Sequence, residues 1–431
     1  MKANQFILTG LIALGSLVAH SAQAVTSDLV LRITGSTAFR SQTHSGIIAA
    51  YGGSQASGGI TSYAYVGTSA SGASQAIYYG TISGKLVIIK TSWSGSEAGV
   101  RTVAANSSSA SANFLADTIL DNTGSGVAAL QTGTASVTAG TTAEIPDVAM
   151  ADNYQSSSAF FGSYGGVTYP TLTEVTLTPS GDPVGIVAFQ FVTSAASPIT
   201  DITTDLAKSL FSTGALPLSF FTGDSTSTGY VFATGRDPDS GTRLDTLAVI
   251  GLGAQSAVKQ YQPSTSATGG QVAAAGGSIA FNIPAPAGTV NGISVALYNN
   301  GYNSGGNLGK ALANATTAMV TKDFPTTGTD TTGGYYVGYM STGDASTAAG
   351  LSPAAIRLTF NGVPYTVANV LTGKYPFWSY EHMYIRSSMS VTGQAVAQTI
   401  ANGINSAVTS GLTPSAMLVK RSTDGARILT K

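Results

Sequence analysis

The sequence predicts an α/β protein with largely parallel sheets, and three observations carry that prediction. Short apolar runs of strand length alternate with segments of helical periodicity along most of the chain. Three strand-to-helix turns combine glycine with serine or threonine: Gly35–Thr37, Gly95-Ser96 and Ser240–Thr242. The chain is 43% hydrophobic but only 9% charged, so it can build proper cores beneath a polar, nearly uncharged surface. Its 431 residues suit two or three ordinary domains.

Met1–Ala24 reads as a secretory signal peptide. Lys2 gives the positive start, Phe6 to Val18 the apolar core, and Ala22-Gln23-Ala24 a small-x-small cleavage site. The apolar run falls short of the roughly 17–25 residues that a membrane span needs. The absence of cysteine removes lipid attachment, disulfides and thiolate metal sites. The mature chain is thus expected to begin at Val25 and to be soluble, in the periplasm or outside the cell. A net charge of −1 argues against nucleic acid as a partner.

Val30–Ile33 predicts a strand, followed by the turn and helix start of "TGSTAFR" (Thr34–Arg40). Lys85–Arg101 repeats the plan. Between about Ala104 and Thr142 the chain is rich in Ser, Ala, Gly and Thr, and its apolar patch Phe114–Leu120 predicts a helix. Asp147–Met150 predicts a strand, followed by polar residues and a helix. Val184–Val192 is an uninterrupted apolar strand. The helix of "DITTDLAKSLFSTG" has Thr200 or Asp201 as its cap and ends at Gly214. "GYVFATGRDPDSGTRLDTLAVIGLG" is again strand, polar turn and helix. Residues 264–300 look β-rich, with turn signals at Gly269-Gly270, Gly276-Gly277 and Asn291-Gly292. Asn307–Val320 reads as helix, "GGYYVGYM" as strand, Lys374–Arg386 as a long aromatic segment, and Gln394–Ser410 as the last helix.

In such sheets ligands bind beyond the carboxyl ends of strands, where helix N-termini gather. A helix N-terminus offers unpaired N–H groups and partial positive charge. Each Gly/Ser/Thr turn taken singly reads equally well as a helix cap. Three of them converging would make a socket for a tetrahedral oxyanion. "GRDPDSGTR" (Gly235–Arg243) sharpens this, because it places four charges in nine residues of a chain otherwise nearly without them.

These motifs, in this order, resemble the phosphate-binding proteins of bacterial phosphate uptake systems, in the type II periplasmic binding protein superfamily. "ITGSTAF" (Ile33–Phe39), "SGSEAGV" (Ser94–Val100), "PDVAMADNYQ" (Pro146–Gln155), "DITTDLAKSLFSTG" (Asp201–Gly214), "GRDPDSGTR", "GYYVGYM" (Gly334–Met340) and "GKYPFWSYEHMYI" (Gly373–Ile385) carry the likeness. It implies a two-lobed fold, each lobe a mostly parallel sheet flanked by helices, joined by two crossing strands. Residues 25–190 plus 375–431 would form one lobe and 191–374 the other, with Val184–Val192 crossing outward and Lys374–Ile385 returning.

The resemblance also implies the ligand contacts. Arg236 pairs with phosphate oxygens, and its planar fork suits that bidentate contact. Ser240, Gly241 and Thr242 supply hydroxyls and backbone N–H groups. Ala38 and Phe39 occupy contact positions of the first loop. The family usually has a hydroxyl where Ala38 stands, so Ser36 or Thr37 is expected to compensate. Ser96 matches the second-loop serine, with Ser94 as a near alternative, and Asp152 the ligand-reading aspartate. Pro238 stands where an acidic residue normally holds the arginine, which leaves Asp237 or Asp239 for that role. Arg243 reads as a helix-surface charge. Expansions near 46–80, 104–142 and 264–300 are either decoration or a surface for a partner.

The implied partners are inorganic phosphate and an ABC permease of the inner membrane, for a monomer with no cofactor and no metal. A surface structural protein that keeps the fold without tight anion binding is the second reading. An enzyme comes last, because no nucleophile–base pair, metal cluster or G-x-S-x-G elbow is present. "GGNLGKA" (Gly305–Ala311) fails as a P-loop and "GLGAQS" (Gly251–Ser256) as a dinucleotide fingerprint. His44 and His382 are far apart in sequence, and His382 and Trp378 read as packing residues.

Overall fold

The computed structural model describes residues 25–54, 57–121, 130–132, 140–264, 281–315, 320–321 and 334–431. The proposed leader, Met1–Ala24, and the turn signals Gly269-Gly270 and Gly276-Gly277 lie outside the described residues.

The elements that position the site are β1 (Leu29–Gly35), α1 (Arg40–Ala50), β2 (Ile60–Val66), β3 (Gln75–Ile82), β4 (Lys85–Ser92), α2 (Ser96–Ala105), β5 (Val148–Ala151), β6 (Gly185–Thr193), α3 (Thr204–Thr213), β7 (Tyr230–Ala233), α4 (Gly241–Val249), α5 (Gly305–Asn314), β8 (Gly334–Ser341), α6 (Thr342–Ala349), β9 (Trp378–Ile385) and α7 (Val391–Ala407). One large sheet carries them in the order Ala215–Pro217, β7, β8, β6, β9, β5, β1, β4, β3, β2, Leu130–Thr132. On one side β1 is flanked by two parallel partners, β4 and β5. On the other, β7 and β8 are parallel. Helices cover the sheet, so the strands "GIVAFQFVT" and "WSYEHMYI" are buried along their whole length, which is why the first reads as a near-continuous apolar run, whereas the second carries Ser379, Glu381 and His382 into the interior.

β6 and β9 join the two halves by exchanging partners midway. Gly185–Ala188 of β6 pairs antiparallel with Trp378–Glu381, and Phe189–Thr193 then pairs with β8. β9 pairs with β6 through Glu381, and from His382 to Ile385 it pairs with β5. Helices α1 and α7 cross at a glycine contact. A Cβ on Gly403 would lie 2.7 Å from the carbonyl oxygen of Gly46, so a larger residue there would force the helices apart.

Several local expectations need correction. The Phe114–Leu120 patch is not one helix: Ala112–Leu115 is a strand pairing with Thr141–Glu144, and Thr118–Asp121 is a single helical turn. That strand pair belongs to the first half, because Glu144 accepts from Lys90 at 2.5 Å and pairs with Arg32. No α-helix follows Asp152; only a short 3₁₀ turn, Gln155–Ser157, does. The cap of α3 is Thr203, whose hydroxyl accepts from the Leu206 N–H at 3.2 Å, rather than Thr200 or Asp201. The helix expected at Asn307–Val320 is α5, which ends at Asn314, and Val320 begins a strand.

Candidate functional site

Parallel pairing brings the first three loops together. Thr34 lies beside Ser92 and Gly35 beside Met150, so β1, β4 and β5 end on one rim. Ser36–Phe39, Ser94–Ser96 and Asp152 leave from that rim. Within the rim the Gly95 N–H donates to the Gly35 carbonyl at 2.9 Å, and the loop after β7 meets it from the other half, where the Glu97 N–H donates to the Asp239 carbonyl at 3.0 Å.

Asp152 is the meeting point. The Ser96 hydroxyl donates to its Oδ1, and the Thr242 hydroxyl to its Oδ2 at 2.9 Å. A Cβ added to Gly241 would lie 1.8 Å from Asp152 Oδ1, so only glycine lets the start of α4 approach this closely. Burial pushes the Asp152 carboxyl up, against the hydroxyls of Ser96 and Thr242 and the charge of Arg236, which favour its ionised form.

Arg236 is 2% exposed. Its Nε donates to the Tyr302 carbonyl at 3.0 Å, and its Nη2 to the Asn303 carbonyl at 3.0 Å and the Thr37 hydroxyl at 3.2 Å. Among the described residues its Nη1 has no hydrogen-bond partner, so the free donor edge is the two hydrogens of that one nitrogen. The expected carboxylate support is not a direct contact: the Arg236 charge acts on the Asp237 carboxyl only through space. Asp237 accepts from the Asp239 N–H, and Asp239 from the Asn291 side chain; neither forms an ion pair with Arg236. The short, directed carbonyls of Tyr302 and Asn303 do that work. A second correction concerns Arg243, which is no surface charge. It is buried and donates to the Arg236 carbonyl at 3.1 Å and to the Asn299 carbonyl at 2.7 Å.

The remaining expected positions fall as follows. Ser36 is buried, with its N–H on the Met150 carbonyl at 2.8 Å. Thr37 touches Arg236. Ala38 follows, and Phe39 turns its ring into the core, where a Cβ on Gly185 would lie 2.3 Å from it. Among the described residues the backbone N–H groups of Ala38 and Phe39 have no acceptor, and α1 has no side-chain cap. Ser240 does cap α4: its hydroxyl accepts from the Arg243 N–H at 3.2 Å. Gly241 and Thr242 open that helix.

Three contributors were missed by sequence reasoning. Tyr302 and Asn303 act through backbone carbonyls, which carry no side-chain signature. Their one trace is Gly301, where a Cβ would lie 2.4 Å from the Arg236 backbone. Glu381 is wholly buried at the crossing of β6 and β9, facing Ser36 and Asp152. Burial and the Asp152 charge hold its carboxyl well above the ordinary carboxylate range. His382 is packed, with Nδ1 2.7 Å from Glu174. Among the described residues no three His, Cys, Asp or Glu side chains group as metal ligands.

Burial also pushes Glu97 and Asp237 up to about 7 and Asp239 to about 6. A carboxyl raised in the folded state contributes stability in full below its unfolded value and loses it as pH rises through its folded value. The melting temperature should therefore fall between pH 5 and pH 8, and Glu97→Gln should flatten the fall. Thermal melts across that range check this; a melting temperature that rises with pH would contradict it.

No family model matches the chain, and a search of curated proteins gives no match. Solved structures do resemble it. A Clostridium perfringens protein described as a phosphate ABC transporter substrate-binding protein, with bound phosphate, is 12% identical over 89% of this chain and 98% of its own, with a TM-score of 0.44. An ABC-type phosphate transport receptor from Vibrio cholerae is 12% identical over 86% and 93%, with a TM-score of 0.41. A phosphate-binding protein from Stenotrophomonas maltophilia is 13% identical over 85% and 81%, with a TM-score of 0.36. These scores are all below 0.5, so a functional reading has to rest on this chain's own residues.

Proposed function

We propose that the chain is a solute-binding protein of the bacterial envelope. It would hold inorganic phosphate, or a similar tetrahedral oxyanion, between its two halves and deliver it to an ABC permease of the inner membrane. One observation carries the reading. Arg236, with a free donor edge, and the hydroxyls of Thr37, Ser96 and Thr242 gather from both halves around a single buried carboxylate, Asp152. The N–H groups of Ala38, Phe39, Gly241 and Thr242 stand beside them at two helix starts, suited to an anion.

The Asp152 carboxylate supplies selectivity. A carboxylate beside a bound anion repels it unless the anion donates a hydrogen bond. Monohydrogen phosphate has a proton to donate, whereas sulfate at neutral pH has none. Wild-type protein should bind phosphate and reject sulfate. Asp152→Asn should narrow the gap between the two by about 10- to 100-fold, because it removes a buried like charge. Competition binding of the two anions to both proteins at neutral pH tests this, and unchanged selectivity would remove Asp152 from ligand reading.

A second reading draws on the same contacts. Both Ser96 and Thr242 donate to Asp152, so the cleft is satisfied from within, as a scaffold that retains the fold without tight anion binding would need. Calorimetric titration of the purified chain with phosphate separates the two readings: measurable heat favours the binding protein, and none favours the scaffold.

A further inference from the structure

Next to the Arg236 cradle lies a cavity of about 590 Å³. It runs between the start of α1, the start of α6, the middle of β6 and the segment after α7. Small-molecule sites commonly span roughly 300–1,000 Å³, so this one is far larger than a five-atom oxyanion requires. It adjoins the cradle at the first loop. Thr37, Ala38 and Phe39 line it, and the Thr37 hydroxyl accepts from Arg236, so one side chain separates the cavity from the guanidinium.

The walls define the ligand chemistry. Ser45, Ser69, Ser341 and Ser410 bring hydroxyls from four separate segments. Arg40 and Asp344 face the space from opposite halves. Arg40 is half-buried, yet among the described residues it forms no hydrogen bond or ion pair; Asp344 and Arg236 act on it only through space. A cation drawn partly out of water without a partner favours ligand oxygens. The guanidinium can donate to two neighbouring hydroxyls, and the Asp344 carboxylate, which already accepts the Ser341 hydroxyl at 3.0 Å, can accept a further one through its other oxygen, which suits vicinal diols. Among the described residues Tyr365 is the one large aromatic ring of the lining besides Phe39, whose ring is in the core, so these residues offer no pair of rings to sandwich a nucleobase.

We propose that the ligand is a phosphate monoester of a polyhydroxylated compound, such as a sugar phosphate, with its phosphoryl group on the Arg236 cradle and its hydroxylated body in this cavity. This rests on the oxyanion reading above and specifies the ligand within it. Asp152 adds a constraint. A monoester dianion has no proton to donate, so the complex must take one from solvent and share it between Asp152 and the phosphoryl oxygen. Because a phosphate ester's second pKa is about 6, its affinity should fall about tenfold per pH unit above that value.

The test is calorimetric titration of the full mature chain at pH 6 with inorganic phosphate, glucose 6-phosphate, glycerol 3-phosphate and glucose. At least one ester should bind about tenfold or more tightly than inorganic phosphate, and glucose alone only weakly. Ser45→Phe, which fills the cavity from the surface of α1, should abolish the ester's advantage while phosphate affinity stays within about twofold. If phosphate binds as tightly as both esters, or if Ser45→Phe spares the advantage, the cavity is no subsite and the oxyanion reading stands alone. If none of the phosphorylated probes binds, both readings fall.

Discussion

Arg236→Ala is expected to weaken oxyanion binding by about 2–5 kcal/mol, which is the usual cost of truncating one partner of a buried, hydrogen-bonded charge pair. In affinity this is a loss of about tens- to thousands-fold. The geometry explains why so much rests on one side chain. Tyr302 and Asn303 hold Nε and Nη2 in place, so the free edge is aimed before any ligand arrives. Arg236→Lys should recover little, because an ammonium cannot satisfy two carbonyls and still present a fork. Titration calorimetry with phosphate, alongside circular dichroism to confirm folding, reads both variants. Wild-type affinity in both would mean that the cradle is misplaced.

Gly35→Ala should be the most damaging single substitution for stability near the site. Gly35 has φ of 117°, and a Cβ there would lie 2.0 Å from the Met150 carbonyl oxygen. That oxygen cannot retreat, because it accepts from the Ser36 N–H and belongs to β5, which is paired on both sides. Positive-φ strain and the backbone clash together should cost about 2–4 kcal/mol. The denaturation midpoint in urea should fall with its slope unchanged. A midpoint equal to wild type would show that the first loop yields more freely than its contacts imply.

Much of this site could be read from the sequence because its chemistry lies in short, contiguous motifs. Gly35–Phe39, Ser96, Asp152 and Ser240–Thr242 each follow a strand, and parallel pairing brings such loops to one rim as a matter of topology. What supports them was harder to read. The partners of Arg236 are main-chain carbonyl oxygens some 66 and 67 residues further on, which a residue of any type could have supplied. Arg243 looked like surface because a charge at the start of a helix usually is. Its burial depends on Asn299, at the end of a stretch read only as β-rich with turns. Asp237 and Asp239 were placed beside Arg236 by adjacency alone, but a β-loop can turn neighbouring carboxylates elsewhere. The missing helix after Asp152 has a similar origin: in "SSSAFF" the Ser158 hydroxyl is taken by Glu97, the Ser157 hydroxyl lies beside that of Thr423, and Phe160 is buried while Phe161 is exposed.

The exchange of partners at β6 and β9 also bears on how the chain reaches this state. β9 is inserted between β5 and β6, strands made some two hundred residues earlier, and it supplies an edge to each. Until Trp378–Ile385 has been synthesised and has slotted in, both neighbours carry an unpaired, apolar edge, and neither half is closed. Sheets completed by such distant segments form slowly, because the entropy of closing a long loop must be overcome before the contacts return anything. Folding therefore cannot finish while the chain is still emerging, and the exposed edges are open to mispairing with other chains. The strand that locks the architecture is among the last to arrive.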